Sequence, residues 1–346
     1  MKKVSVIVPC HNLGEDLNRC VKSLLNQTIG KEQLQIILVD DASTDDTPQR
    51  IQSWAKKEPE VITPLLLTEN LRQGGARNQG LSLAEAPYVG YVDGDDWVEP
   101  LMYEHMLEKA ESFHTDVVFC RHKQSLSYEL WEDVKLPDRE SRFLTVDTNE
   151  KRKEFIVGNL IGYGVWDKLF SKEFLVKNDL KFPEHIAYED ITFGSLVYLY
   201  ASRIFILEET LYHYYMNPES TVHKRNVEYH KDFFKANEIK WQEYEKRGAF
   251  SKLKDAVEFD YMMTAYVAAM KLFVIRYDEF PYEAFCSLQQ TVQQHIPNIM
   301  NNPYVAGYMR PMQKMVLELL PTELSREEAT QVAAALRQYM EAGQSL

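Results

Sequence analysis

Tyr88-Val-Gly-Tyr-Val-Asp-Gly-Asp-Asp-Trp-Val-Glu-Pro100 decides the fold, because an apolar run of strand length passes without a linker into three carboxylates, Asp93, Asp95 and Asp96. Acids this close repel one another and lose hydration inside a fold. They settle in full solvent, against Arg or Lys, or around a divalent cation with hard oxygen ligands. Gly94, without a Cβ, leaves room for a phosphate with its metal to approach the backbone. The competing reading is a polar strand-to-helix turn in which Asp93 or Asp95 caps a helix beginning near Pro100. The surrounding elements have to choose.

Towards the N-terminus, Val4–Val8 is a β-branched run fit for a fully buried strand, and Leu17, Cys20, Val21, Leu24 and Leu25 follow at helical spacing. Leu34–Val39 is a second strand running into Asp40 and Asp41. Thr47 as cap and Pro48 at a first helical position then open a second helix. Val61–Leu67 supplies a third strand, Gly74–Ala84 a third helix and Tyr88–Val92 a fourth strand. This alternation predicts an α/β fold, Rossmann-like, with a mostly parallel sheet flanked by helices. In such sheets ligands bind beyond the carboxyl ends of the strands. His11 and Asn12, Asp40 and Asp41, and Asp93 and Asp95 all fall at such ends. Asn70-Leu-Arg-Gln-Gly-Gly-Ala-Arg-Asn-Gln-Gly80 adds paired glycines at a helix start with Arg72 and Arg77, a combination suited to a phosphate, or else a flexible loop with surface arginines.

Composition narrows the function classes. The 346 residues suit one large domain or two ordinary ones, and a net charge of −13 argues against a general grip on nucleic acid while leaving room for an anionic ligand held locally. Cys10, Cys20, Cys120 and Cys286 are widely spaced, with no C-x-x-C pair, and read as reduced thiols. Lys2 and Lys3 imitate a signal peptide, but the apolar run after them is too short, and no stretch reaches the roughly 18 apolar residues of a membrane span. The expected location is the cytoplasm, with any membrane contact peripheral at the inner face of the cell membrane.

The segments Val4-Ser-Val-Ile-Val-Pro-Cys-His-Asn12, Val39-Asp-Asp-Ala-Ser-Thr-Asp-Asp-Thr47, Asn70–Gly80 and Tyr91–Asp96, in this order and spacing, closely resemble the N-terminal half of family 2 glycosyltransferases with a GT-A fold. The resemblance is specific to about Pro100. It continues more loosely through Val165-Trp-Asp-Lys-Leu-Phe170, Tyr188-Glu-Asp190 and Tyr212–Val222. It implies a nucleotide-sugar donor, UDP-sugars first, a Mn2+ or Mg2+ ion, and transfer with inversion to a hydroxyl of a cell-surface glycan or polyol polymer. By the same resemblance Pro9 and His11 lie against the base and Asp41 accepts a hydrogen bond from it. Arg77 lies near the nucleotide, Asp93 by the ribose, and Asp95 binds the metal. Asp190 falls on the family's general base. His223 is the best-placed candidate to complete the metal shell, whereas His213, alternating with tyrosines, reads as packed in a strand.

The acceptor side is read from the middle of the chain. Leu101–Phe113 is a helix, Asp116–Cys120 a strand, 121–147 a polar excursion and Glu150–Asn159 a helix. Trp166 could stack on a sugar face while Lys168 bonds to a hydroxyl or phosphate; a core tryptophan with a solvated lysine is the alternative. Glu189 is expected to orient the acceptor, although acidic residues are ordinary in a first helical turn. Arg203–Leu207 and Leu211–Tyr215 read as two returning strands.

Residues 1–224 are therefore expected to form the catalytic domain, 1–100 binding the donor and 101–224 the acceptor, and 225–346 a helical domain. In that domain Tyr304–Leu320 reads as a helix disturbed at Pro311, and Ser325-Arg-Glu-Glu328 as a capping box. Arg310, Lys314 and the tyrosines could meet a polymer or a second subunit, giving a homo-oligomer. Two other functions compete. A sugar nucleotidyltransferase would release pyrophosphate, and its glycine-rich loop would follow strand one and not strand three. A non-catalytic nucleotide-sugar-binding or assembly protein would have no need of Asp93, Asp95 and Asp190 together.

Overall fold

A computed structural model describes residues 1–128, 139–217, 224–225 and 228–343. In chain order the first elements are β1 (Val4–Cys10), α1 (Asp16–Leu25), β2 (Leu34–Asp40), α2 (Thr47–Lys57), β3 (Ile62–Leu66), α3 (Arg72–Leu83), β4 (Tyr88–Tyr91) and β5 (Trp97–Val98). Then come α4 (Met102–Phe113), β6 (Val117–Ser125), β7 (Arg142–Thr145), α5 (Asn149–Gly158), β8 (Lys168–Ser171), α6 (Lys172–Lys177), α7 (Glu189–Tyr200) and β9 (Arg203–Tyr215). All but α5 belong to one compact unit, Met1–Asp147 with Ile161–Asn217.

Its sheet runs β3-β2-β1-β4-β8-β6-β9-β5, with β7 on the far side of β9. β3, β2, β1 and β4 are parallel, so β1, β2 and β4 all finish at one edge. β8 then enters antiparallel to both β4 and β6, and β5 and β7 pair antiparallel with β9, which makes the second half mixed. Every residue of β1 and β2 is buried, as their unbroken apolar runs require of strands covered on both faces. Val6, Val8, Ile36 and Leu38 pack with Leu17, Val21 and Leu24 of α1 and with Met102 and Met106 of α4. The four cysteines are unpaired, and Cys10, Cys20 and Cys120 are buried in this core.

Two local expectations change. The helix cap expected at Thr47 is absent: Thr47 lies inside α2, and its Oγ1 accepts instead from the backbone N–H groups of Leu13 and Gly14, at 2.9 and 3.3 Å, joining the β1–α1 and β2–α2 loops. The two strands expected at 203–207 and 211–215 are one. Glu208, which falls between them, is buried, and its carboxylate accepts from Arg121 Nε at 2.6 Å and Nη2 at 2.8 Å. The pairing of β6 with β9 slips around Arg121 to accommodate this, a bulge in an otherwise continuous ladder.

The second unit comprises the described residues of Thr148–Leu160 and of 218–346. Its helices are α5, α8 (Asp232–Lys246), α9 (Phe250–Met262), α10 (Ala268–Arg276), α11 (Tyr282–His295), α12 (Tyr304–Tyr308), α13 (Pro311–Glu318) and α14 (Arg326–Glu341), with α9 and α10 joined through a π-helical turn at Met263–Val267. The helix at 149–158, expected within the catalytic domain, packs along α9, with Phe155 and Ile156 buried. Pro311 opens a new helix, so 304–320 is two helices and not one. The capping box holds: Ser325 Oγ accepts from the Glu328 N–H, and a Glu328 carboxylate oxygen takes the Ser325 N–H at 2.8 Å. Among the described residues no helix is long and apolar enough to cross a membrane.

Candidate active site

At the edge where β1 and β2 finish, the following loops are stitched together by side chains. Asn12, whose φ of 54° suits asparagine, accepts from the Thr44 N–H at 2.8 Å through Oδ1, and its own N–H donates to Ser43 Oγ at 3.0 Å. Pro9 is buried in β1, while His11 is exposed beyond it. The His11 Nδ1 lies 2.9 Å from the Asp41 carbonyl oxygen and Nε2 lies 3.2 Å from the Asn12 amide nitrogen, a pattern satisfied when Nδ1 carries the proton. Asp41 Oδ1 accepts from the Leu71 N–H at 2.7 Å, and burial pushes its carboxyl above the ordinary range against that bond. Pro9, His11 and Asp41, expected around one base, are thus neighbours at the ends of β1 and β2.

Arg77 is the hub of the site. Its Nη2 donates to Asp93 Oδ1 at 2.7 Å and its Nη1 to Glu189, while Cζ stands 5.4 Å from the centre of the Phe182 ring. One buried guanidinium therefore ties α3 to the end of β4 and to the start of α7. Burial alone would lower its affinity for a proton; Asp93, Glu189 and Asp190 reverse that. Gly74, one of the paired glycines expected to suit a phosphate, and Gly80, further along the helix, serve this packing. A Cβ on Gly74 would stand 2.2 Å from the Pro183 carbonyl oxygen and 3.1 Å from Glu189 Cγ, and one on Gly80 would stand 2.4 Å from Ile7 Cγ2. They let α3 lie close against β1 and the 182–189 segment.

Asp190 follows Glu189 in the first turn of α7, behind Tyr188 in the left-handed region at φ 61°. It is half-buried where Glu189 is buried. Burial raises the Asp190 carboxyl, Arg77 pulls it back and Asp93 raises it again, with the Ile191 N–H favouring the ionised form. This carboxylate lies in the field of the hub without being consumed by it.

The three acids of the opening stretch separate by role. Asp96 turns inward, where it accepts from the Tyr212 hydroxyl and, at 2.7 Å, from the Tyr215 N–H; burial first, then Asp95 and Asp93, hold its carboxyl well above the ordinary range. Asp93 is held by Arg77. Asp95 remains half-buried, its carboxyl pushed up to about 6 by burial and by the negative charge of Asp93. Gly94 is needed for another reason than expected, since a Cβ there would stand 2.2 Å from Leu13 Cδ1 and 3.1 Å from the Pro9 carbonyl oxygen. Among the described residues no group of three or more acidic, histidine or cysteine side chains could hold a metal ion. A single carboxylate raised by its anionic neighbour still fits a Mn2+ or Mg2+ ion whose other ligands are phosphate and water oxygens. His223 lies outside the described residues. His213 is buried in β9 with its Nε2 2.6 Å from Glu99 Oε1 and its ring stacked on Trp97, the packed role its setting in the sequence suggested.

The expected acceptor contacts need correction. Lys168 is buried, and its ammonium donates to the Gly164 carbonyl and to Asp167 Oδ1, the latter at 2.7 Å; the short β8 strand draws it into the sheet. Glu189 is buried by its bond to Arg77 and supports the hub instead of facing an acceptor. Trp166 stays half-buried, stacked on Tyr212 at 4.6 Å with the exposed His122 ring edge-on at 4.5 Å. Tyr212, which sequence reasoning left without a role, links this aromatic group to Asp96 and accepts from the Asp93 N–H at 3.2 Å. Its only sequence signal was the alternation of Leu211–Tyr215.

Residues 5–170 match the model of glycosyl transferase family 2. The chain is 33% identical over 220 residues to the uncharacterized glycosyltransferase EpsJ of Bacillus subtilis, covering 63% of this chain and 62% of that relative. It is 28% identical over 223 residues to the poly(ribitol-phosphate) beta-N-acetylglucosaminyltransferase TarS of Staphylococcus aureus, covering 62% of this chain and 35% of that one. The chain thus spans under two thirds of the length of both. The crystal structure of S. aureus TarS 1–349 in complex with UDP-GlcNAc superimposes with a TM-score of 0.70 at 18% identity, over 99% of this chain and 92% of that one. The fold is accordingly GT-A-like with a C-terminal helical region, and the family model over residues 5–170 and the likeness to EpsJ support a glycosyltransferase of family 2.

Proposed function

From the match of residues 5–170 to glycosyl transferase family 2 we infer that the chain moves a sugar from a nucleoside diphosphate sugar, a UDP-sugar first, to a hydroxyl of a glycan or polyol polymer, with inversion. The observation that carries this reading is Asp190, half-buried in the first turn of α7 beside an arginine that also holds Asp93 and Glu189. An acceptor hydroxyl is a poor nucleophile until a positioned base takes its proton, and the Asp190 carboxylate is that base. Pro9, His11 and Asp41 receive the nucleotide base and Asp93 the ribose side of the donor, with Arg77 fixing Asp93. Asp95 would hold Mn2+ or Mg2+, with His223 as a further candidate ligand; when bound, such an ion neutralises charge on the leaving diphosphate.

Trp166 offers a ring to the acceptor, and Lys168 and Glu189 act behind it as supports. A polymer acceptor is favoured by the relatives named for poly(ribitol-phosphate) transfer, and work at the inner face of the cell membrane as a peripheral protein, with the helical unit free to self-associate, suits such an acceptor.

The test is a panel of nucleotide sugars incubated with the protein and Mn2+, reading nucleoside diphosphate, pyrophosphate and the anomeric signal of the product by NMR. UDP release with an inverted anomer is expected. Pyrophosphate release, or donor binding without any turnover, would overturn the reading.

A further inference from the structure

We propose that Arg19 is a positioning residue for Asp95, clamping the main chain of the acidic turn between α1 and the end of β9 and so fixing how the Asp95 carboxylate is presented to a divalent cation. This rests on the metal-binding reading of Asp95 above. Arg19 sits in α1 with its side chain only 17% exposed. The guanidinium carbon lies 4.7 Å from the centre of the Trp97 ring and 4.3 Å from that of Tyr215. Nη2 donates to the Asp95 main-chain carbonyl and stands 3.3 Å from Asp16 Oδ1. Among the described residues its buried Nε has no acceptor, so the aromatic rings and the Asp95 carbonyl, more than a full set of hydrogen bonds, fix its place.

Three features distinguish this from an arginine that merely packs. The group contacts two aromatic rings, a role that suits a planar delocalised cation and that an ammonium fills poorly. It bonds the Asp95 carbonyl and not the carboxylate, which fixes the backbone while leaving the carboxylate lone pairs to a metal. And Tyr215, one of the two rings, is tied to the same turn through its own N–H on Asp96. α1, the turn and β9 therefore share one fastening.

The sign of the effect separates positioning from simple charge. A fixed cation near Asp95 repels a second one, so if charge were all that mattered, removing Arg19 would tighten metal binding. Positioning predicts the opposite. The experiment titrates Mn2+ into the full chain with UDP present, reading free Mn2+ by electron paramagnetic resonance against a protein-free Mn2+–UDP control, with far-UV circular dichroism of each variant. Arg19→Met is expected to weaken Mn2+ binding about 10-fold, the scale of losing a residue that orients a metal ligand. Arg19→Lys keeps the charge but loses the planar fit and is expected to weaken it comparably. In turnover assays both should raise the Mn2+ concentration for half-maximal rate more than they lower kcat at saturating Mn2+. Wild-type or tighter Mn2+ affinity in either folded variant overturns the proposal, and if Arg19→Met loses its native spectrum, Arg19→Lys decides alone. A wild-type chain that, with UDP present, binds no Mn2+ beyond the protein-free control would instead sink the metal reading of Asp95 and this proposal with it, an outcome distinct from variants that match a binding wild type.

Discussion

Asp190 and Glu189 are adjacent acids at one helix start, and their burial separates them. Glu189 is consumed by Arg77, whereas Asp190 keeps a reachable carboxylate. Asp190→Asn preserves shape and removes proton acceptance, so transfer should fall by about 10²–10⁴-fold while donor affinity stays nearly constant, as read by steady-state assay beside donor titration. Were Asp190 only a helix cap, Asn would serve within a few tenths of a kcal/mol. The base works ionised, and burial holds its carboxyl above the ordinary range, so activity should be lost as pH falls through a value higher than that of a free aspartate. Arg77 pulls that value down, so Arg77→Met should move the acid limb of the pH–rate profile upward. An unmoved limb would remove Arg77 from the base's environment.

At the scale of elements, glycine has two opposite meanings in this chain. Gly80 on α3 faces Ile7 of β1, and Gly80→Ala forces overpacking against the sheet, a loss of about 1–3 kcal/mol in urea unfolding. Gly307 on α12 has open space around its Cβ direction, and Gly307→Ala should stabilise by roughly 0.5–1 kcal/mol. Equal effects at the two positions would contradict the packing described for α3. In the helical unit α8 and α9 are joined by a buried ion pair, Lys240 with Asp260, to which Tyr244 and Thr264 add hydrogen bonds. Lys240→Met removes the Lys240 ammonium from buried Asp260 and should cost about 3–5 kcal/mol by chemical denaturation. A loss within 1 kcal/mol would show that the remaining partners of Asp260, Tyr244 among them, satisfy the carboxylate.

For the whole molecule, the division into two units is not a cut at one point along the chain. α5 lies between β7 and β8 in sequence, yet packs along α9. A chain ended near Arg225 would leave Phe155 and Ile156 without the helix that covers them, so it should bind a dye for exposed apolar surface and melt below the full chain. Full-length stability in the shortened chain would mean that α5 has another cover. What the sequence determined by itself is whatever local pattern dictates. Unbroken β-branched runs required strands buried on both faces, their alternation with helical spacing required a parallel sheet at the N-terminal half, and the acids were already placed at the strand ends where such sheets bind ligands. Ser325 and Glu328 announced their capping box because both partners stand within one turn. The tertiary structure decided everything that depends on pairing across distance. Lys168 and Glu189 were read as groups facing an acceptor, and Asp96 as one of three acids suited to solvent, a basic partner or a cation; all three are internal supports, since burial and partner are settled by residues from 1 to 119 positions away. Gly94 and Gly74 looked like openings for a phosphate and instead admit Leu13 and the 182–189 segment. Arg19 gave no signal at all: its charge, its two rings and its carbonyl acceptor come from α1, the acidic turn and β9, and only folding brings these three together.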